Sequence, residues 1–189
     1  MPKIVTDQEV FNAVLQSLFE HGYAGSTTKI IAERANVNEA TLFRKYGSKE
    51  ELVNKAIFFK IQEADIESAI YYTGDIRADI LRIVEKFFYQ PERDHLFLVL
   101  ISEIRRFPEL QKTVSAPFGV MMKFGQILAR YQSEGVLRPE HPFHALAALA
   151  GPLIMVRMLK GSSPNLPLPD PDLEMHVEHY LTGRELPQP

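Results

Sequence analysis

The chain has 189 residues, is 46% apolar and carries a formal net charge of −3. That composition is ordinary for a folded protein with a polar surface, and the length suits a small domain joined to a larger one, or one compact unit. No cysteine occurs, which excludes disulfide frameworks, cysteine–zinc sites and cysteine nucleophiles, and no charged N-terminal segment leads into an apolar run, so a cytoplasmic location without a secretory signal is expected.

Thr6-Asp7-Gln8-Glu9 reads as a capping box that opens a first helix. Phe11, Leu15, Leu18 and Phe19 form its apolar stripe, Val10 and Val14 widen it, and Gly22 is placed to end it. Tyr23 follows at a loop position and is expected to plug a small core. Two short helices come next, about 28–35 and 39–46, joined by Asn36-Val37-Asn38. Ile31, Ala32 and Ala35 give the first an apolar face, which Val37, Leu42 and Tyr46 can close over. That is the sequence shape of a helix-turn-helix, whose second helix enters a DNA major groove. Ser48 then caps a long helix through Leu52, Val53, Ala56, Ile57, Phe59, Ile61 and Ala64, apolar on more than one side and so suited to connecting two bodies.

Ile76, Ile80, Ile83, Val84, Phe87 and Phe88 predict a fifth, amphipathic helix. The apolar run 96–101 predicts a buried helix over about 92–106, broken by Phe107-Pro108. A further helix is expected over about 116–134, with Phe118, Met121, Met122, Leu128 and Tyr131 inward and Gly135 at its end. Pro142 opens a helix that is apolar nearly all round and contains Pro152. It reads as buried and too short for a bilayer, so no membrane is expected. After a proline-rich loop over 164–171, Leu173, Val177, Tyr180 and Leu181 mark one face of a last helix, and 184–189 reads as a frayed tail.

Helix 1 followed by GYAGSTTKIIAERANVNEATLFRKYGSKEEL resembles the N-terminal domain of TetR/AcrR-family transcriptional regulators, over roughly residues 5–60. Gly22-Tyr23, Thr27-Thr28, Ile31-Ala32, Val37, Thr41-Leu42 and Ser48-Lys49-Glu50 fall at family spacing. The sequence departs from the family pattern at Ala40, usually glycine, at Phe43, usually tyrosine, and at Tyr46, usually phenylalanine. Phe43 lacks the hydroxyl that relatives often give to a phosphate. The resemblance implies an all-α fold of about nine helices. It implies a helix-turn-helix domain over 1–48 and a ligand-binding and dimerisation domain over 49–183, with the connector helix at 49–70 and a tail at 184–189. It also implies a ligand pocket among the middle helices and a homodimer through the last two, for which Ala145, Ala148, Gly151, Met155, Val177, Tyr180 and Leu181 offer surfaces.

For DNA, basic and acidic residues balance over 1–55, so binding must rest on placed groups doubled by dimerisation rather than on net charge. Thr27 is expected to cap its helix, and Thr28 to meet a phosphate. Asn38 is expected to cap the recognition helix and also to reach DNA, and the first turn of that helix, Glu39, Ala40 and Thr41, faces base edges. Glu39 suits an amino group such as cytosine N4, or else serves only the helix dipole, and Ala40 or Thr41 suits a thymine methyl. Arg44, Lys45 and Lys49 are the expected phosphate partners, with Lys49 foremost. Phe59, Phe87, Phe88, Phe97, Phe107, Phe118, Met121, Met122 and Phe124 are adaptable side chains for an apolar effector, with Glu103 to orient it, although such residues also fill ordinary cores.

His141 and His144, and His176 and His179, are spaced three apart, but no third and fourth ligand accompanies them, so neither metal nor cofactor is expected. No nucleophile elbow, phosphate loop or zinc-protease motif occurs. The expected function is a ligand-responsive DNA-binding regulator, a repressor released from a palindromic operator by a small apolar effector. The alternatives are a helical small-molecule-binding protein without DNA function, or an enzyme with a buried pocket.

Overall fold

Residues 5–88, 103–162 and 167–186 are described in the computed structural model, and they are all-α. The helices are α1 (Asp7–Gly25), α2 (Thr28–Arg34), α3 (Glu39–Tyr46), α4 (Lys49–Ala64), α5 (Ile76–Phe88), α6 (Gln111–Ser133), α7 (Pro142–Ser162) and α8 (Leu173–Thr182), with 3₁₀ turns at Ile66–Ala69 and Pro108–Leu110. The helix expected over 92–106 lies outside the described residues apart from its last turn, where Arg106 and Phe107 both donate to the Glu103 carbonyl.

The chain divides into two compact units, one from Met1–Ala64 with His95–Pro117, the other from Asp65–Asp94 with Phe118–Pro189. The division does not fall at residue 48, because α4 buries Leu52, Val53, Ala56 and Ile57 in the same core as α1 to α3. The α4 helix ends at Ala64 rather than near 70, since Asp65 takes a left-handed conformation with φ 48° that breaks the helical hydrogen bonding.

In the first unit the capping box forms as expected: Glu9 N–H donates to Thr6 Oγ1 and the Glu9 carboxylate accepts from Thr6 N–H at 2.8 Å. Val10, Phe11, Val14 and Leu18 point inward, but Phe19 does not. At about 100° per residue it stands a quarter turn or more from the centre of that stripe. Gly22 breaks the helical geometry of α1 with φ 64°, and Ser26 Oγ returns to the Gly22 carbonyl at 2.6 Å. Tyr23 is buried against Phe107, ring centroids 5.1 Å apart, as the core reading expected.

The second unit buries Ile80, Ile83, Leu128, Tyr131, Leu149, Leu153 and Leu181. Its α6 starts earlier than expected, and Phe118 and Met122 are exposed because the inward face is set by Val120, Phe124, Leu128 and Tyr131. Asp79 is fully buried here, accepting from Thr73 N–H at 2.8 Å, Thr73 Oγ1 at 2.6 Å, Tyr131 Oη at 2.6 Å and Arg82 at 2.8 Å. Burial opposes its charge, but these hydrogen bonds outweigh that and hold the carboxyl below the usual carboxylate range. The tail is not frayed through residue 186: Arg138 N–H donates to the Arg184 carbonyl and Leu186 N–H to the Val136 carbonyl, so strand-like pairing ties it down.

Candidate nucleic-acid interface

A three-residue turn sets the geometry of α2 and α3. Asn36 is left-handed at φ 54°, Asn36 N–H donates to the Glu33 carbonyl, and Val37 N–H reaches back to the Ala32 carbonyl at 2.9 Å. This is a Schellman ending, in which asparagine replaces the usual glycine. Val37 packs on the core, and Asn38 Oδ1 accepts from Ala40 N–H at 2.8 Å to cap α3. Leu42 and Tyr46 anchor the inner side of α3, and Gly47 at φ 81° closes it. The outer side carries Ala40, Phe43 and Arg44, all exposed, with the half-buried Glu39 and Thr41 on its flanks.

The expected DNA residues are thereby brought to α2, the turn and α3, but several of their polar groups already have partners. Thr27 Oγ1 caps α2 by accepting from Ile30 N–H at 3.2 Å. Thr28 Oγ1 donates to Glu39 Oε1 at 2.5 Å. Lys45 pairs with Asp7 at 2.5 Å, and Tyr46 Oη donates to the same carboxylate at 2.5 Å. The hydrogen bond from Lys45, then that from Tyr46, lowers the Asp7 pKa, while burial and the bond to Asp7 raise that of Tyr46. Asp7 thus fixes the end of α3 to the start of α1, a role its place in the capping box gave no sign of. Arg44 has no ion-pair partner among the described residues.

Lys49 departs most from expectation. Its ammonium donates to the Tyr23 carbonyl and lies 4.1 Å from the centre of the Tyr23 ring. Burial lowers its pKa, against the opposing influence of Glu103 and Glu109. It is therefore turned into the first unit, and a phosphate contact would require it to leave that position. The sequence placed it correctly at a helix start, but only the tertiary fold supplies the carbonyl and ring that hold it.

The pocket residues separate. Phe87, Met121 and Phe124 line a cavity of about 20 Å³ in the second unit, together with Ile66, Ile70, Ile83, Val84, Val120, Leu146, Leu149, Ala150 and Ile154. Phe59, Glu103 and Phe107 belong instead to the first unit, Phe118 and Met122 are exposed, and Phe97 and the Phe88 side chain lie outside the described residues. The aliphatic lining was missed because its members are spread over four segments and look like ordinary core.

The expected interface residues also separate. Ala145, Val177, Tyr180 and Leu181 are buried within the second unit and cannot meet another chain, whereas Gly151 and Met155 are exposed and Ala148 is half-buried. The outward face of α7 is Phe143, Ala147, Gly151, Met155 and Leu159, an unbroken four-residue repeat, with Met158 beside it and Met175 exposed on α8. That repeat was legible in the sequence, but it was hidden by apolar residues on every side of the helix. By length and composition alone α7 is long and apolar enough to cross a membrane, a test that the core helix of a soluble protein also passes, so only the expected shortness is corrected. Its inner stripe, Ala145, Leu146, Leu149 and Leu153, is packed into the helical core. His176 Nε2–H donates to the Leu149 carbonyl at 2.7 Å, and no group of three metal-ligating side chains occurs among the described residues.

Comparison with known proteins agrees with this geometry. Residues 11–56 match the family described as bacterial regulatory proteins, tetR family. The chain is 30% identical over 123 residues to YvkB, an uncharacterised HTH-type transcriptional regulator of Bacillus subtilis, a match spanning 57% of this chain and 62% of that relative. Among solved structures, the fatty acid degradation regulator FadR from Bacillus halodurans has a TM-score of 0.73 at 19% identity, covering 94% of this chain and 96% of its own. The TetR-family regulator PfmR from Thermus thermophilus has a TM-score of 0.67 at 20% identity, covering 92% and 94%. At these identities the likeness is one of fold.

Proposed function

We propose that the chain, whose residues 11–56 match the tetR family of bacterial regulatory proteins, is a dimeric, cytoplasmic transcriptional repressor of that family, released from a palindromic operator by a small apolar effector. The observation that carries the DNA reading is the outer face of α3. Ala40, Phe43 and Arg44 stand exposed there, on a helix held from behind by Leu42, Tyr46 and Asp7. A side chain can read base edges only if its helix is fixed and its tip is free.

Dimerisation is supported by the apolar face of α7 with Met175, and it would present two recognition helices to half-sites about one helical turn apart. The effector reading is supported by the wholly apolar lining of the second unit's cavity. At about 20 Å³ that cavity has room for about one water, so an effector must open it. Such a ligand would act through unequal affinity for the operator-bound and released states. A neighbour in fold is a fatty acid degradation regulator, and an apolar effector matches the chemistry of this lining once the cavity is opened.

Selection of bound sequences from random duplex DNA with the purified chain tests this reading. Enrichment of a palindrome supports it. A bound small molecule with no sequence enriched would favour instead a helical ligand-binding protein without DNA function.

A further inference from the structure

Glu39 is the only acidic residue in α3, and a carboxylate on a surface that must approach phosphates needs a reason to be there. It is half-buried, and Thr28 Oγ1 donates to its Oε1 at 2.5 Å across the junction of the two helix starts. A threonine hydroxyl has one proton to donate, so while it serves Glu39 it cannot also donate to a phosphate. A carboxylate has room for further donors, and Glu39 Oε2 has no hydrogen-bond partner among the described residues. Both helix starts are independently fixed, α2 by the Thr27 cap and α3 by the Asn38 cap, so the bridge spans two anchored points.

We propose that Thr28 is a positioning residue for base recognition, holding Glu39 on the flank of α3 so that its free oxygen accepts from the exocyclic amino group of one base, cytosine N4, in each half-site. This rests on the DNA-binding reading above and names one determinant of its specificity. The chemistry is selective because a carboxylate accepts from an amino group and repels the acceptor oxygens that thymine and guanine present in the major groove. Cytosine and adenine both offer an amino group there, but adenine N7 beside it is an acceptor that disfavours the second carboxylate oxygen. Thr28 therefore acts on the sequence preference, not on the grip of the backbone.

The test measures affinity of the full-length chain for the selected duplex and for its single-base variants at each half-site position, across a salt series. The wild type should prefer cytosine at one position by on the order of tenfold. Glu39→Ala should abolish that preference. Thr28→Val, which keeps the shape and loses the proton donor, should reduce it severalfold at that position alone with the salt slope intact, and Thr28→Ser should restore it. Two results would overturn the proposal while leaving DNA binding standing. One is that Glu39→Ala leaves every base preference unchanged. The other is that Thr28→Val weakens all duplexes alike, with no change in preference at the cytosine position, which marks a sequence-independent phosphate contact. No selective binding by the wild type overturns both readings.

Discussion

The two units leave different kinds of group uncovered. In the first, most charged and hydroxyl groups near α3 are matched inside the chain: Thr28 with Glu39, Lys45 and Tyr46 with Asp7, Lys49 with the Tyr23 carbonyl, and Arg34 with Glu20. Few polar tips remain free, and those are placed on one face. In the second, the polar interior is equally well matched around Asp79, but a whole apolar face of α7 is left open. The contrast teaches what each unit requires from a partner. A head whose net charge is balanced must recognise through a few positioned tips, whereas an apolar stripe gains free energy from almost any complementary apolar surface.

The largest expected effect comes from breaking the second half of that comparison. Met155→Arg places a charge in the middle of the open face of α7, where burial without a partner costs on the order of 3 kcal/mol or more. Analytical ultracentrifugation should show a dimer for the wild type and a monomer for the variant, with operator affinity reduced about 100-fold or more. A variant that remains dimeric would remove α7 from the interface.

Next comes the interior of the same unit. Asp79→Ala leaves Tyr131 Oη and Thr73 N–H without their acceptor and should cost about 3 kcal/mol in denaturant unfolding. The wild type should also lose stability in acid. The folded carboxyl titrates below its usual range, so its contribution is complete above about pH 4 and is lost as the pH falls through the folded value. Asp79→Ala should lack that component of the pH dependence; an identical acid profile would show that Asp79 does not supply it.

In the head the effects are smaller and separate by kind. Arg44→Ala should weaken all duplexes alike and lower the salt slope by about one, because Arg44 is exposed and without an ion pair among the described residues. Lys49→Ala should leave the salt slope nearer the wild-type value, since its ammonium is held by Tyr23. The reverse order in a salt titration would mean that Lys49 turns outward on DNA. Asn38→Ala removes the α3 cap and should cost about 1 kcal/mol of stability by denaturant melting.

How far the sequence could be read divides along the same line. The helix-turn-helix was legible because its signals are local: a capping box at Thr6 and Glu9, the turn Asn36-Val37-Asn38 with Asn38 as a cap, and Ser48 opening the next helix. Helical periodicity also found the buried face of α8, with Leu173, Val177, Tyr180 and Leu181. It failed where more than one face is apolar. Phe118 and Met122 fitted an inward stripe as well as Phe124 did, and α7 offered no polar side from which to tell core from surface. Non-local partners were invisible altogether. Nothing near Lys49 in sequence announces the Tyr23 carbonyl, nothing near Thr28 announces Glu39, and the pairing of Leu137 with Glu185 joins segments that periodicity treats separately. The site residues were thus named from the motif, while the state of their polar groups could come only from the fold.

Base reading by the exposed face of α3 underlies the whole functional proposal. Fluorescence anisotropy with the selected operator and with a scrambled duplex of equal length, at one physiological salt concentration, measures it. An affinity ratio of about 1,000 or more is expected, falling sharply when Ala40 and Phe43 on that face are replaced together. Equal affinity for the two duplexes would mean that α3 does not read sequence.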